Sequence, residues 1–361
     1  MTSSEKDASK RSNSKETLRA IWRKELIENV KRDSKQNCRD LNETTTRQVQ
    51  LDVKRSFSNI TNKDLKQKYQ RILQQLILNV LRRNVHFSYY QGYHDVASIF
   101  ILLFTDIEKT ESDSTLAVEL ELVSEMLYHF SLLYLRDFLM STLDFTMDQL
   151  RVVPKIFAKL DTEIYETLFG NSDPKLVVSA PVSCLLTFFS HDLNNTEQIF
   201  DIFNTVVENK TMSWVIYIYC LIIVQNKKTL MKSVEATRDS FLNENDFVNI
   251  NLQTTFYSKI DDTDWPDIFS QLNKQPKTTG DLPDSINQLS TLNNSKLGLF
   301  ERSKVKLSLL EKIMKNEFKL NEKLHCTSSK NLASFSVSST IKFSIAVGVS
   351  ALIIGYISSA D

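Results

Sequence analysis

Six glycines and six prolines in 361 residues are too few to build a sandwich or a barrel, which need a turn every few residues. No stretch alternates apolar and polar residues between hairpin turns. Apolar residues recur instead at three- and four-residue intervals, the signature of one helical face. In "NKDLKQKYQRILQQLILNVLRRN" this spacing sets Leu65, Tyr69, Ile72, Leu73, Leu76, Ile77, Val80 and Leu81 on one stripe. Basic Arg82 and Arg83 close it, where the helix dipole favours positive charge. The expected fold class is all-α, and a hydrophobic content of 42 % is ample for its core.

The first helix is expected at "ETLRAIWRKELIENV", with Leu18, Ile21, Trp22, Leu26 and Ile27 inward. Residues 1–15 read as a disordered N-terminus. Further helical runs cover Met147–Leu160, Val177–Phe189, Thr196–Val207 and Trp214–Val224. One domain is expected over 16–273, followed by a polar linker, 274–342, that carries one amphipathic helix in "LFERSKVKLSLLEKIMKNEFKLNEKL".

Residues 343–360, from Phe343 to Ala360, carry no charge. They would make about 27 Å of helix at 1.5 Å per residue, close to the roughly 27 Å hydrocarbon core of the endoplasmic reticulum membrane. Behind a serine-rich spacer this reads as a single-span tail anchor in a lipid bilayer, with a buried C-terminal helix as the other reading. The interior run Trp214–Val224 is too short to span.

Forty-four basic residues balance 44 acidic ones, which argues against nucleic acid as a partner. Cys38, Cys184, Cys220 and Cys326 form no CxxC pair, and the five histidines show no ligand spacing with them. No metal site is expected, and the cysteines read as free thiols. Walker A, GxSxG and HExxH sequences are absent.

Two short signatures remain. In Val49–Arg55, Asp52 and Arg55 stand three apart on a helical turn, so the carboxylate can hold the guanidinium. Downstream, Tyr89-Tyr90-Gln91-Gly92 places a glutamine beside a glycine able to turn sharply. Taken singly, the first is an ordinary surface ion pair and the second an ordinary loop.

In this order within a helical chain, the two signatures resemble the IxxDxxR and YxQG motifs of the TBC domain, the catalytic domain of Rab GTPase-activating proteins. "LRAIWRKEL", "LRDFLMSTLD", "LLTFFSHDL" and "IFDIFN" match other family segments in order, so the likeness runs from about Leu18 to about Phe269. It implies two helical lobes with the motif residues near a shared groove. It also implies an arginine finger, Arg55, and a glutamine finger, Gln91, supplied to a GTP-bound Rab. Asp52 would orient Arg55, and Tyr89 and Gly92 would shape the turn that carries Gln91.

No cofactor of its own is implied, since GTP and Mg²⁺ belong to the partner GTPase. The chain has Val49 where the family has isoleucine, Tyr93 where it has an apolar residue, and Phe188-Phe189 where it has Trp-Phe. None of these touches a finger. His94 and His191 read as loop or packing residues. The wording "YYQGYHD" and the apolar tail most resemble a small subgroup associated with the endoplasmic reticulum, acting on the Rab of ER-to-Golgi traffic. The alternatives are a catalytically inactive Rab-binding module of the same shape and a helical scaffold held at a membrane.

Overall fold

The computed structural model describes residues 15–33, 38–105, 107, 113–170, 176, 178–240, 243–276, 286–300 and 304–331. Of the expected disordered segment 1–15, residues 1–14 lie outside the described residues, as does the anchor segment 343–360, whereas Lys15 already belongs to the first helix. No helix among the described residues is long and apolar enough to cross a membrane.

The chain is a succession of helices: α1 (15–23), α2 (Glu43–Arg55), α3 (Lys63–Arg82), α4 (Tyr93–Phe104), α5 (Asp113–Tyr134), α6 (Asp144–Gln149), α7 (Val153–Leu160), α8 (Thr162–Phe169), α9 (Val182–Thr187), α10 (Thr196–Asn209), α11 (Ser213–Gln225), α12 (Lys227–Thr237), α13 (Glu244–Lys259), α14 (Trp265–Leu272) and α15 (Leu307–Asn331). The run expected as one helix from Met147 to Leu160 is split between α6 and α7. Pro154, in the first turn of α7, has no N–H to continue an earlier helix. Strands β1 (Val30–Lys31) and β2 (Val305–Lys306) form one short parallel pair, which no alternation announces because each has two residues.

The helices divide into two compact units. The first takes residues up to Leu139, Ser183–Val215 and Gln288–Glu317, and the second takes Met140–Val182, Ile216–Asn287 and the residues from Phe318 on.

Trp22 is the centre of the first unit. Its side chain is fully buried, with ring centroids 5.1 Å from Phe100, 6.0 Å from Phe104 and 5.9 Å from Phe203. Phe130 extends this cluster to Phe188 at 5.4 Å. Asn62 caps α3 by accepting from the amides of Asp64 and Leu65. The buried face of α3 is the expected stripe from Tyr69 to Leu81, with Leu78 added and Leu65 only half-buried.

The amphipathic helix expected in the polar segment 274–342 is α15, and up to Glu317 it belongs to the first unit rather than standing apart in a linker. Leu307, Leu310, Ile313 and Met314 are buried. Arg136, fully buried, donates from Nε to the Glu317 carboxylate at 3.1 Å. Its Nη2 donates to the Leu289 carbonyl at 2.9 Å and to Asn294 Oδ1 at 2.8 Å. Asp137 beside it accepts from the Ser290 hydroxyl and the Thr291 amide. Burial raises the Glu317 carboxyl well above its ordinary range, the Asp137 charge adds to this, and Arg136 opposes it. The buried guanidinium is tolerated here because its donors are spent on Glu317, on the Leu132, Leu133 and Leu289 carbonyls and on Asn294.

The second unit is held in a similar way on a smaller scale. Asp161 caps α8 through the Ile164 amide and pairs with Lys227 at 2.8 Å. Buried Asn251 of α13 donates to Thr237 and accepts from Ser233, joining α12 to α13. Tyr219 stacks on Phe256 at 4.9 Å.

Truncating Arg136 removes the guanidinium that opposes the rise of the Glu317 carboxyl and leaves the Leu289 carbonyl and Asn294 Oδ1 without their donor. Arg136→Ala should lower unfolding stability by about 3–5 kcal/mol. Arg151→Ala, which removes a part-exposed pair with Asp148 at 3.0 Å, should cost no more than about 1 kcal/mol. Urea denaturation of both variants checks this, and equal losses would remove the special role of the buried pair.

Candidate functional site

Helix α2 starts at Asn42, whose Oδ1 accepts from the Thr45 amide at 2.7 Å. It stops at Arg55, because Ser56 is extended (φ −70°, ψ 159°) and Phe57 is left-handed (φ 57°). Gln70 of α3 fastens this end by donating to the Lys54 and Ser56 carbonyls at 2.9 and 3.1 Å. Val49, Asp52 and Val53 face inward, and Arg55, the last helical residue, leaves half its side chain in solvent (52 %).

A buried carboxylate must be compensated, and Asp52 is compensated from both sides. Its Oδ1 receives Arg55 Nη2 at 2.7 Å. Its Oδ2 receives the Tyr89 hydroxyl at 2.8 Å and, more weakly, Gln48 Nε2 at 3.4 Å. Burial raises the Tyr89 phenol well above its ordinary pKa, and the Asp52 charge adds to the rise, so the hydroxyl stays a donor.

Tyr89 opens the turn that carries Gln91. Tyr90 is buried and donates from its hydroxyl to the Leu186 carbonyl at 3.0 Å. Gly92 begins α4 at φ 109°, a conformation that side chains disfavour. A Cβ there would lie 2.9 Å from Thr187 Cγ2. Tyr93, in place of an apolar residue, is wholly buried and hydrogen-bonds its hydroxyl to Ser131 at 2.8 Å. Gln91 is half-buried, and its carboxamide makes no hydrogen bond among the described residues.

The neighbouring segment after α9 is strained. Phe188 and Phe189 are consecutive left-handed residues (φ 52° and 63°), both fully buried. Such conformations cost on the order of 1–3 kcal/mol each, offset here by aromatic packing of Phe188 on Phe130 and Phe203. The chain thereby reverses and brings His191 Nδ1 to 3.2 Å from Asp95 Oδ2. His94 lies between the two ends, 3.5 Å from the Tyr89 hydroxyl through Nδ1 and 3.3 Å from Asp95 Oδ1 through Nε2. Burial lowers the pKa of His94, whereas the hydrogen bond to Asp95 raises that of His191.

The residues singled out in the sequence thus fall in the first unit. Asp52, Arg55 and Tyr89 are in direct contact, and Gln91 and Gly92 follow Tyr89 on one turn. Sequence reasoning missed Gln48, Asp95 and Thr187 and treated His191 as a packing or loop residue. Asp95 and His191 are 96 positions apart, and no local spacing points from one to the other.

Gly92→Ala meets both an unfavourable φ and Thr187. It should lower stability by about 1–3 kcal/mol, measured by thermal unfolding. Adding Thr187→Ser, which deletes Cγ2, should return only the steric part. A stable Gly92→Ala protein would show that the turn does not require glycine.

Comparison with known proteins places this geometry in a lineage. The Rab-GTPase-TBC domain profile matches residues 10–231, which include both signatures. The GTPase-activating protein GYP8 of Saccharomyces cerevisiae is 32 % identical over 308 residues, 79 % of this chain and 61 % of that protein. The GTPase-activating protein gyp10 of Schizosaccharomyces pombe is 27 % identical over 51 % of this chain and 45 % of its own length. TBC1 domain family member 20 of Homo sapiens is 29 % identical over 52 % of this chain and 44 % of its own length. The chain therefore spans less than two thirds of the length of each of these relatives. A family profile covering more than half of the chain, with both signatures inside it, decides the assignment: this chain belongs to the Rab-GTPase-TBC domain family.

Proposed function

We propose that the chain is a GTPase-activating protein for a Rab-family small GTPase in its GTP-bound state, supplying Arg55 and Gln91 in trans. The observation that carries this reading is the buried Asp52 carboxylate. It holds a half-exposed guanidinium on one oxygen and, through Tyr89, the base of the Gln91 turn on the other. Two groups of the chemistry that phosphoryl transfer lacks are held beside one anchor and remain available to a partner.

A GTPase hydrolyses slowly because its attacking water is loosely held and charge developing on the transferred phosphoryl group goes unneutralised. Arg55 supplies a planar, permanently charged fork able to reach two phosphoryl oxygens together. The Gln91 carboxamide donates and accepts at once, which suits it to orient the water. GTP and Mg²⁺ come with the partner, so this chain needs no cofactor of its own. The names of GYP8 and gyp10 support the activating role.

The site of action in this reading is the cytosolic face of the endoplasmic reticulum membrane, in ER-to-Golgi traffic. The uncharged segment 343–360 would serve there as a tail anchor. Confining activator and prenylated Rab to one surface raises their effective concentration without any new contact.

The test is phosphate release from a panel of GTP-loaded Rabs with the full chain in detergent. One Rab should be accelerated, with Arg55→Ala lowering the rate about 10³- to 10⁵-fold and Gln91→Ala also abolishing most of the stimulation. Binding of a Rab without acceleration would replace this reading with the inactive docking module. Separately, deletion of Phe343–Asp361 should move the protein from the membrane pellet to the soluble fraction with its activity in solution unchanged. Continued pelleting would remove the anchor.

A further inference from the structure

The Gln91 turn is fastened on two sides. One side is the Asp52–Tyr89 bond. The other is the segment from Leu186 to Asp192, which meets the turn through the Tyr90 hydroxyl on the Leu186 carbonyl, through Thr187 against Gly92, and through His191 on Asp95. The first two contacts are buried and serve the core as much as the turn. The third is different: the His191 side chain is 53 % exposed, and an exposed pair adds little to stability. Even so, it sits at the end of two consecutive strained residues, and strained residues cluster where geometry matters for function.

Asp95 is well placed to act on Gln91. Its backbone amide donates to the Gly92 carbonyl at 3.0 Å, and the Val96 amide donates to the same oxygen at 3.3 Å. The first turn of α4 and the Gly92–Tyr93 peptide, one residue past Gln91, are therefore one hydrogen-bonded piece.

We propose that Asp95 and His191 are positioning residues for the glutamine finger: their carboxylate–imidazole bond clasps the first turn of α4 to the reversed chain at Phe188–Asp192 and fixes the aim of Gln91. This rests on the reading of Gln91 as a finger.

The clasp depends on charge. Asp95 and Asp192 favour the imidazolium form of His191, while Arg55 and His94 oppose it. The balance raises the His191 pKa, the Asp95 hydrogen bond contributing most. The charged pair is complete below that raised pKa. As pH rises through it, a charge-assisted bond becomes a neutral one about half as strong. Asp52 and Tyr89 face this cluster across His94, whose pKa burial lowers.

The decisive experiment measures kcat and KM for the GTP-loaded Rab that the full chain accelerates, from pH 6 to 9, with each rate divided by that of the GTPase alone. Wild-type kcat should fall towards high pH. His191→Ala and Asp95→Asn should each lower kcat by about 3- to 10-fold near neutrality, with KM within about twofold of wild type. His191→Gln keeps an N–H for Asp95 and should recover most of kcat while flattening the pH profile. His191 is half-exposed and Asp95→Asn is isosteric, so unfolding temperatures should stay near wild type. If His191→Ala keeps wild-type kcat and pH profile while Arg55→Ala is inactive, the clasp is overturned and the finger reading stands. If the wild-type chain accelerates no Rab, both fall together.

Discussion

The site depends on one desolvated carboxylate. Asp52 is buried at the end of a helix that reaches solvent one turn later, and a negative charge in that position is tolerable only if it is met from more than one direction. Arg55 meets it from its own helix and Tyr89 from a segment 37 residues onward. The need to satisfy one anion therefore brings together two parts of the chain that local propensity would leave independent. The guanidinium loses conformational freedom through this pair, and in the proposed complex that ordering would not have to be supplied again.

The same principle operates more deeply in the fold with another pairing. Arg136 and Glu317 are both fully buried, and Asp137 lies alongside. Around them converge the carbonyls at the end of α5, the loop at Leu289–Asn294 and α15. An apolar contact of equal size would hold the pieces together as well, but would accept several registers. A guanidinium whose donors are matched one by one accepts a single register.

Local rules made much of this visible. The α3 stripe follows from 3.6-residue periodicity, and the Asp52–Arg55 pair and the Gly92 turn follow from spacing and from the freedom of glycine. The same rules stop where distance along the chain begins. Periodicity says that Leu307, Leu310 and Met314 need a covered face, but not that the cover is the unit carrying Arg55. An apolar run from Val177 to Phe189 reads as helix, yet it yields only the six-residue α9, with Phe188 and Phe189 turned left-handed. Short apolar runs do not declare their secondary structure, and tertiary packing decides. The Asp95–His191 contact is invisible for a related reason: it exists only because that reversal places the imidazole there.

The composition of the first unit has a consequence for how the protein is made. Its last portion, Gln288–Glu317, follows the whole of Ile216–Asn287, which belongs to the other unit. During synthesis, Trp22, Arg55 and Gln91 emerge early, but the partner of Arg136 is translated nearly two hundred residues after it. The unit that carries Arg55 and Gln91 cannot be completed until Ile216–Asn287 of the other unit has been made. Throughout that interval Arg136 lacks Glu317, Leu289 and Asn294, and the apolar surface that α15 will cover stays open, which exposes the nascent chain to aggregation.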